Sequence, residues 1–361
     1  MPSWLSYTML LFIVTRFMLT AIGVIGYNVI AGRIISTFSG MLKIWDVWDS
    51  ERYLYIAQHW YPHTTDVSQL TNYVFFPLYP LLMKLLAFVT DDYLLSGIII
   101  SNVCLFISCY YVYKLALLDS DEATAIRSIK YLFLFPTAFI LSGVFTESLF
   151  LALSIACFYY ARKGSWLASG MLGALASVTR PYGIIIIVPM LVEYLCSVHF
   201  DPKKIDKNSL ALLIPPLGLA VFMAYEYYMT GDFLAFAHAQ ALWSFTLQNP
   251  LLQLLLRFSE MGMDVRFNAI LTVVALLVLL AGYKKIGISQ LAYGLLLIFI
   301  PLCSAGSDWS MSRYILVVFP LYFIMACYTK NEYADQALTI GLAMLQGLLM
   351  ATWATWGFYV I

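Results

Sequence analysis

Long apolar runs alternate with short polar breaks over almost the whole chain, and the pattern predicts helices much more often than strands. The runs fall near 8–30, 93–116, 129–143, 146–161, 165–178, 183–199, 209–229, 265–282, 290–303, 314–328 and 337–359. A helix needs ~20 apolar residues to cross a bilayer, so the longer runs read as direct spans and the shorter ones as tilted or broken spans. Pro136, Gly143, Gly164, Gly170 and Gly173 mark where breaks are expected. FFPLYPLL, at 75–82, opens a different kind of segment: Pro77 and Pro80 interrupt the helical ladder while the flanks stay apolar. It reads as an interfacial or re-entrant piece. The expected architecture is all-α, a polytopic transmembrane bundle of about 11 spans forming one domain over 1–361, with an amphipathic outer loop at approximately 31–92. The N-terminus lacks the basic start and small-residue cleavage site of a removable signal and reads as the first span.

Composition strengthens the membrane reading. Apolar residues make up 62% of the 361 and charged ones only 11%, against about a quarter in soluble domains, and mean hydropathy is +0.83. Twenty basic residues balance twenty acidic ones, with no basic block, so nucleic acid is excluded as a partner. The cysteines Cys104, Cys109, Cys157, Cys196, Cys303 and Cys327 lie in apolar stretches without paired spacing and read as core residues. With a cytoplasmic N-terminus and a non-crossing 73–89, the lysine pairs Lys203–Lys204 and Lys284–Lys285 fall inside. The outer face receives Arg33, Arg52 and Arg180, the loops 31–72 and 230–263, the ends near Glu147, and SDWSMSRY at 307–314.

Most residues able to carry chemistry converge on that outer face. KIWDVWDSERYLYIAQHWYPH, at 43–63, mixes carboxylates with aromatics. Asp46 and Asp49 are three apart, so on a helix they project from one face together with Tyr53. Such a stretch suits an amphipathic interfacial helix. It equally suits a carboxylate held at the water–lipid boundary beside aromatic faces that stack on sugar rings. Glu147 and Arg180 sit at or inside apolar spans, where an unpaired charge costs at least ~2.5–3.5 kcal/mol. They read either as a structural pair or, for Arg180, as an anion ligand aided by the Pro181 and Gly183 break. Arg313 has the same standing, and two arginines suit a phosphate because guanidinium binds it bidentately. His59 and His63 have a metal-ligand spacing spoiled by Pro62, so no metal is expected. No Walker loop, dinucleotide fingerprint or nucleophile elbow stands in its required context.

Five segments in order resemble one family: WDSERYLYIAQHWYP (48–62), FFPLYPLL (75–82), the stretch from FPTAFILSGVFTESLF to SVTRPYG (135–183), GDFLAFAHAQALW (231–243) and SMSRYILVVFP (310–320). Together they look like the GPI mannosyltransferase II family, also called PIG-V, and its prokaryotic relatives. The resemblance implies a GT-C glycosyltransferase that moves mannose from a polyprenyl or dolichyl phosphate donor on the non-cytoplasmic side, with the catalytic acid in the first outer loop. The family's WD pair and following aromatic map onto Trp48, Asp49 and Tyr53, with Asp46 a second candidate. Arg52 departs from the aromatic residue common there. Tyr182, His238 and Gln240, in the matching segments, join Glu147 as expected substrate contacts.

The chemistry fits these residue types. A hydroxyl acceptor needs one base at an oxocarbenium-like centre, while the lipid phosphate leaves already ionised. That differs from glycoside hydrolysis, which normally uses a second carboxyl group, and it calls for neither a metal nor another cofactor. The expectation is an inverting transfer with Asp49 as base and Arg180 and Arg313 on the donor phosphate. The acceptor is a glycan, a glycolipid or a protein. The main alternative is a flippase or secondary transporter for lipid-linked sugars, which embedded Glu and Arg would also mark; a structural subunit of a membrane complex is the third. The lack of any Asn-x-Ser/Thr acceptor leans toward a prokaryotic cell membrane over the endoplasmic reticulum.

Overall fold

The computed structural model describes residues 3–32, 34–242, 246–259, 262–305 and 310–356. Arg33, Trp243 and the Ser307–Trp309 part of SDWSMSRY therefore lie outside the described residues. The helices run in order α1 Ser3–Ile30, α2 Phe38–Lys43, α3 Ser50–His59, α4 Leu78–Thr90, α5 Tyr93–Ala116, α6 Glu122–Leu134, α7 Glu147–Arg162, α8 Trp166–Ser177 and α9 Ile187–Ser197. They continue as α10 Ile214–Thr230, α11 Ala235–Leu242, α12 Pro250–Ser259, α13 Met263–Ala281, α14 Ile288–Leu302, α15 Met311–Leu316, α16 Pro320–Tyr328 and α17 Glu332–Trp353. Two-residue strands β1 Thr246–Leu247 and β2 Ser304–Ala305 pair antiparallel.

Most apolar runs of the sequence coincide with a helix or with a helix and a neighbouring 3-10 turn; the run 314–328 is divided between α15 and α16, and the run 337–359 is described only to residue 356. Ser3–Ile30, Tyr93–Ala116, Lys207–Thr230, Met263–Ala281 and Glu332–Trp353 are long and apolar enough to cross a membrane, and Trp166–Ser177, Pro181–Ser197 and Ile288–Leu302 are shorter apolar helices. The breaks have local causes. Phe135, before Pro136, is extended (ψ 138°) and ends α6, because the proline ring disfavours a helical predecessor. The 3-10 turn Ala138–Ser142 fills the gap before α7. Arg16, buried midway along α1, donates from Nη1 to Ser142 Oγ (2.7 Å) and to Ala138 O (3.2 Å), the second giving a side-chain donor to a carbonyl at the helix break. At Pro77 the chain turns 80° between Ser68–Val74 and Leu78–Thr90.

Antiparallel packing of α1 and α5 fixes the two ends of the bundle. Trp4 packs on Tyr113 (ring centroids 5.0 Å) and Phe12 on Phe106 (4.4 Å), so the start of α1 meets the finish of α5. The chain from residue 31 to 92 thus leaves and returns at one end, and α4 makes no net crossing. The opposite end holds the lysine connectors: Arg162 pairs with Asp119 (2.7 Å) and Glu193 (3.2 Å), and Lys330 lies 3.5 Å from Asp121. Charged chemistry thus divides between an Asp49 end and a lysine end.

Candidate functional site

At the Asp49 end three interruptions of regular helix deliver the polar side chains. Trp48 has φ +56°, a left-handed conformation that costs an L-residue roughly 1–2 kcal/mol, and its ring packs on Trp356 (4.9 Å). The reversal sends Asp49 inward at the start of α3, where its carboxylate makes no capping hydrogen bond and stays available to other partners. Arg180 is extended (φ −149°, ψ 152°) because Pro181 follows it and opens the 3-10 turn Pro181–Ile186. Gly183 lets that turn lie against α8: a Cβ there would sit 1.9 Å from Ala176 O. Arg313 rides on the short α15, whose Ser312 N–H donates to Asn268 Oδ1 at 2.7 Å.

These elements bring four charges together. Arg313 donates from Nη1 to Asp49 Oδ2 at 2.5 Å and from Nε to Glu147 Oε1 at 2.6 Å. Arg180 Nη1 stands 3.0 Å from the same Oε1, a charge contact without hydrogen-bond alignment. Glu147 opens α7, where the helix N-terminus favours a carboxylate. It is fully buried, and its Oε2 has no hydrogen-bond partner among the described residues. Aromatic faces insulate the cluster: Arg313 lies over Phe145 (4.8 Å), and Arg180 over Tyr314 (5.4 Å) and Phe150 (5.9 Å). Two carboxylates and two guanidiniums sum to zero.

Above them opens a cavity of ≈490 Å³ whose walls include Asp49, Tyr53, Arg180, Arg313, Tyr314 and Gln240. Trp48 and Tyr182 also line it, as do Glu51 and Arg52. Glu147 does not reach the wall; it lies behind the arginines. The Tyr53 hydroxyl is 3.4 Å from Thr146 Oγ1, and burial, against the nearby Arg313, pushes its pKa up to about 12. It is therefore a neutral hydrogen-bonding group at ordinary pH.

Two expected site residues stand apart. Asp46 is absent from the cavity wall and accepts from Ser50 Oγ at 2.6 Å. Its three-residue spacing from Asp49 implied a shared helical face, but α3 begins only at Ser50 and the turn at Trp48 separates the two carboxylates. His238 is also absent from the wall; it pairs with Asp232 (2.5 Å) and its side chain is 59% exposed. On α11 it is two residues from Gln240, and positions two apart on a helix do not face the same way. Among residues that were not singled out, Tyr314 and Thr179 wall the cavity. Both abut a marked arginine, a signal available in the sequence. Trp356, from the far C-terminal run, offered no such signal. Among the described residues no cluster of three His, Cys, Asp or Glu side chains suits a metal.

Residues 76–228, less than half of the chain, match the family described as dolichyl-phosphate-mannose-protein mannosyltransferase. No curated protein sequence matches. Among solved structures the chain is similar to the Archaeoglobus fulgidus oligosaccharyltransferase, crystallised tethered through a disulfide to an acceptor peptide containing the NVT sequon. The TM-score is 0.50 at 11% identity, over 96% of this chain and 55% of that one, so this chain spans about half that protein's length. The protein is an integral, multi-pass membrane protein with a GT-C-type helical fold.

Proposed function

We propose that the chain is a membrane glycosyltransferase that transfers mannose from a polyprenyl or dolichyl phosphate donor to an acceptor hydroxyl, inverting the anomeric centre, with Asp49 as general base. The observation that carries this reading is the convergence of Asp49 with Arg180 and Arg313 on one cavity, with Glu147 buried behind them. The family matched at 76–228 and the fold agree with it. The kinship proposed within the superfamily remains GPI mannosyltransferase II.

The chemistry is one displacement. The acceptor oxygen attacks the anomeric carbon, the carbon–oxygen bond to phosphate breaks, and its electron pair leaves on the phosphate. The acceptor proton passes to the Asp49 carboxylate. Negative charge grows on the phosphate in the transition state, where preorganised guanidiniums stabilise it most. The Asp49–Arg313 contact gives this sequence an order: an arriving phosphate competes for the Arg313 Nη1 that holds Asp49, so donor binding frees the base. Glu147 keeps both guanidiniums in place throughout. Trp48, Tyr53, Tyr182 and Gln240 wall the space where the sugar and the acceptor meet. Orientation follows the lysine bias, with the Asp49 end on the non-cytoplasmic side of, we propose, a prokaryotic cell membrane.

The deciding assay offers radiolabelled polyprenyl phosphate mannose to membranes carrying the protein and weighs the product. Mannose incorporation that disappears with Asp49→Asn supports the reading; incorporation unchanged in a well-folded Asp49→Asn overturns the role of Asp49. Movement of donor between leaflets without transfer would favour the flippase alternative.

A further inference from the structure

Two concavities lie outside the proposed site, one along the side of the bundle and one at the lysine end. One is a wholly apolar slot of ≈290 Å³ on the side of the bundle. Its walls are stripes at helical spacing, Leu271, Val274 and Val278 on α13 and Ile324 and Tyr328 on α16, closed by Leu342 on α17. The α13 stripe covers about 10 Å at 1.5 Å per residue, and Val274, 47% exposed, sits where the slot opens sideways toward lipid. The slot runs along the bundle axis and finishes at Tyr328 and Thr329, where the Tyr328 hydroxyl donates to Ala281 O (2.7 Å).

The second concavity is lined by the sequence neighbours of Tyr328 and Thr329, Cys327 and Lys330. It is polar, ≈750 Å³, and its walls include Lys284, Lys285, Lys330, Cys327, Asp119 and Asp121. Both aspartates are engaged: Arg162 grips Asp119 through two nitrogens (2.9 and 2.7 Å), and Asp121 caps α6 through Thr124 N–H (2.7 Å) and lies 3.5 Å from Lys330 Nζ. Lys284 and Lys285 have no carboxylate partner among the described residues. Lys284 and Lys285 therefore leave positive charge in surplus near the slot, and alternating residues of the segment 325–330 line the two concavities: Met325, Tyr328 and Thr329 the slot, Cys327 and Lys330 the polar one.

We propose that the two concavities together bind one anionic phospholipid, an acyl chain in the slot and the phosphate headgroup on Lys284, Lys285 and Lys330. Charge selects the occupant. A zwitterionic lipid fills the slot equally well but brings no net charge to the lysines, whereas basic residues at the headgroup level favour anionic lipids. Lys284, Lys285 and Lys330 are exposed, so their replacement leaves the core untouched. The site stands whatever chemistry occurs at the Asp49 end.

Native mass spectrometry of the full-length protein, released from nanodiscs of equimolar phosphatidylglycerol and phosphatidylcholine, reads this directly. One phosphatidylglycerol is expected to be retained in preference, with the preference falling about fivefold for each lysine changed to Gln and vanishing in the triple Gln variant. Val274→Trp, which fills the slot, lowers retention of both lipids. In the wild type the preference also falls as salt is raised. Equal retention of the two lipids by the wild type, a preference that survives the triple substitution, or one insensitive to salt overturns the proposal. Complete displacement of the lipid by millimolar inorganic phosphate overturns it too, since a slot-bound chain would hold.

Discussion

At the residue scale the proposed site depends on one guanidinium serving two carboxylates. Asp49→Asn retains the shape and removes the base, so turnover with polyprenyl phosphate mannose should fall by about 10²–10⁴ while circular dichroism is unchanged. Glu147→Gln acts differently. It leaves Arg180 and Arg313 buried without their shared counter-charge, and breaking a buried pair destabilises by about 3–5 kcal/mol. The expected result is a lowered Tm in detergent together with lost transfer, where Asp49→Asn loses transfer alone. Arg313→Lys preserves the charge but not a fork able to reach Asp49 and Glu147 at once; the donor KM should rise by tenfold or more, measured at saturating acceptor. Of these partners, the sequence exposed Glu147, Arg180 and Arg313 because charge in an apolar run demands a reason, and Asp49 because it stands among aromatics in the outer stretch 43–63 and matches the resembled family's WD pair. It did not reveal that Glu147 sits behind the arginines, because depth relative to a cavity is a tertiary property.

Among the helices, the breaks matter more than the spans. Gly183 permits the 3-10 turn after Arg180 to touch α8, and a methyl group there would collide with the Ala176 carbonyl. Gly183→Ala should displace Arg180, lowering both transfer and Tm, the latter read by thermal unfolding in detergent. Gly341 is the control. It lies within α17 with nothing within 4 Å of a Cβ, and Gly→Ala in a helix interior stabilises by about 0.5–1 kcal/mol, so Gly341→Ala should hold or raise Tm with activity intact. The prolines made the breaks legible in advance. The spacing argument for Asp46 did not survive the turn at Trp48, because a single left-handed residue cancels helical periodicity and nothing in the letters WDVWDS marks it.

Across the whole molecule, the two ends differ in charge and in the proposed task. If the Asp49 end faces away from the cytoplasm, a membrane-impermeant maleimide should label His238→Cys in intact cells and Lys284→Cys only after permeabilisation. Cys327 lines the lysine-end pocket, so Cys327→Ser is the background for that experiment. Labelling in the reverse order would place the cavity on the cytoplasmic side. The apolar periodicity dictated the helical class, the approximate element list and the polar character of the connectors, since a bilayer leaves a chain few ways to satisfy its backbone. It also dictated which charges needed partners. Which charges partner one another was decided by the tertiary structure: Asp49, Glu147, Arg180 and Arg313 come from four separate segments, and only packing sets distances between residues far apart in sequence. The same holds for His238, whose membership of a matching segment could not reveal that its helix turns it outward.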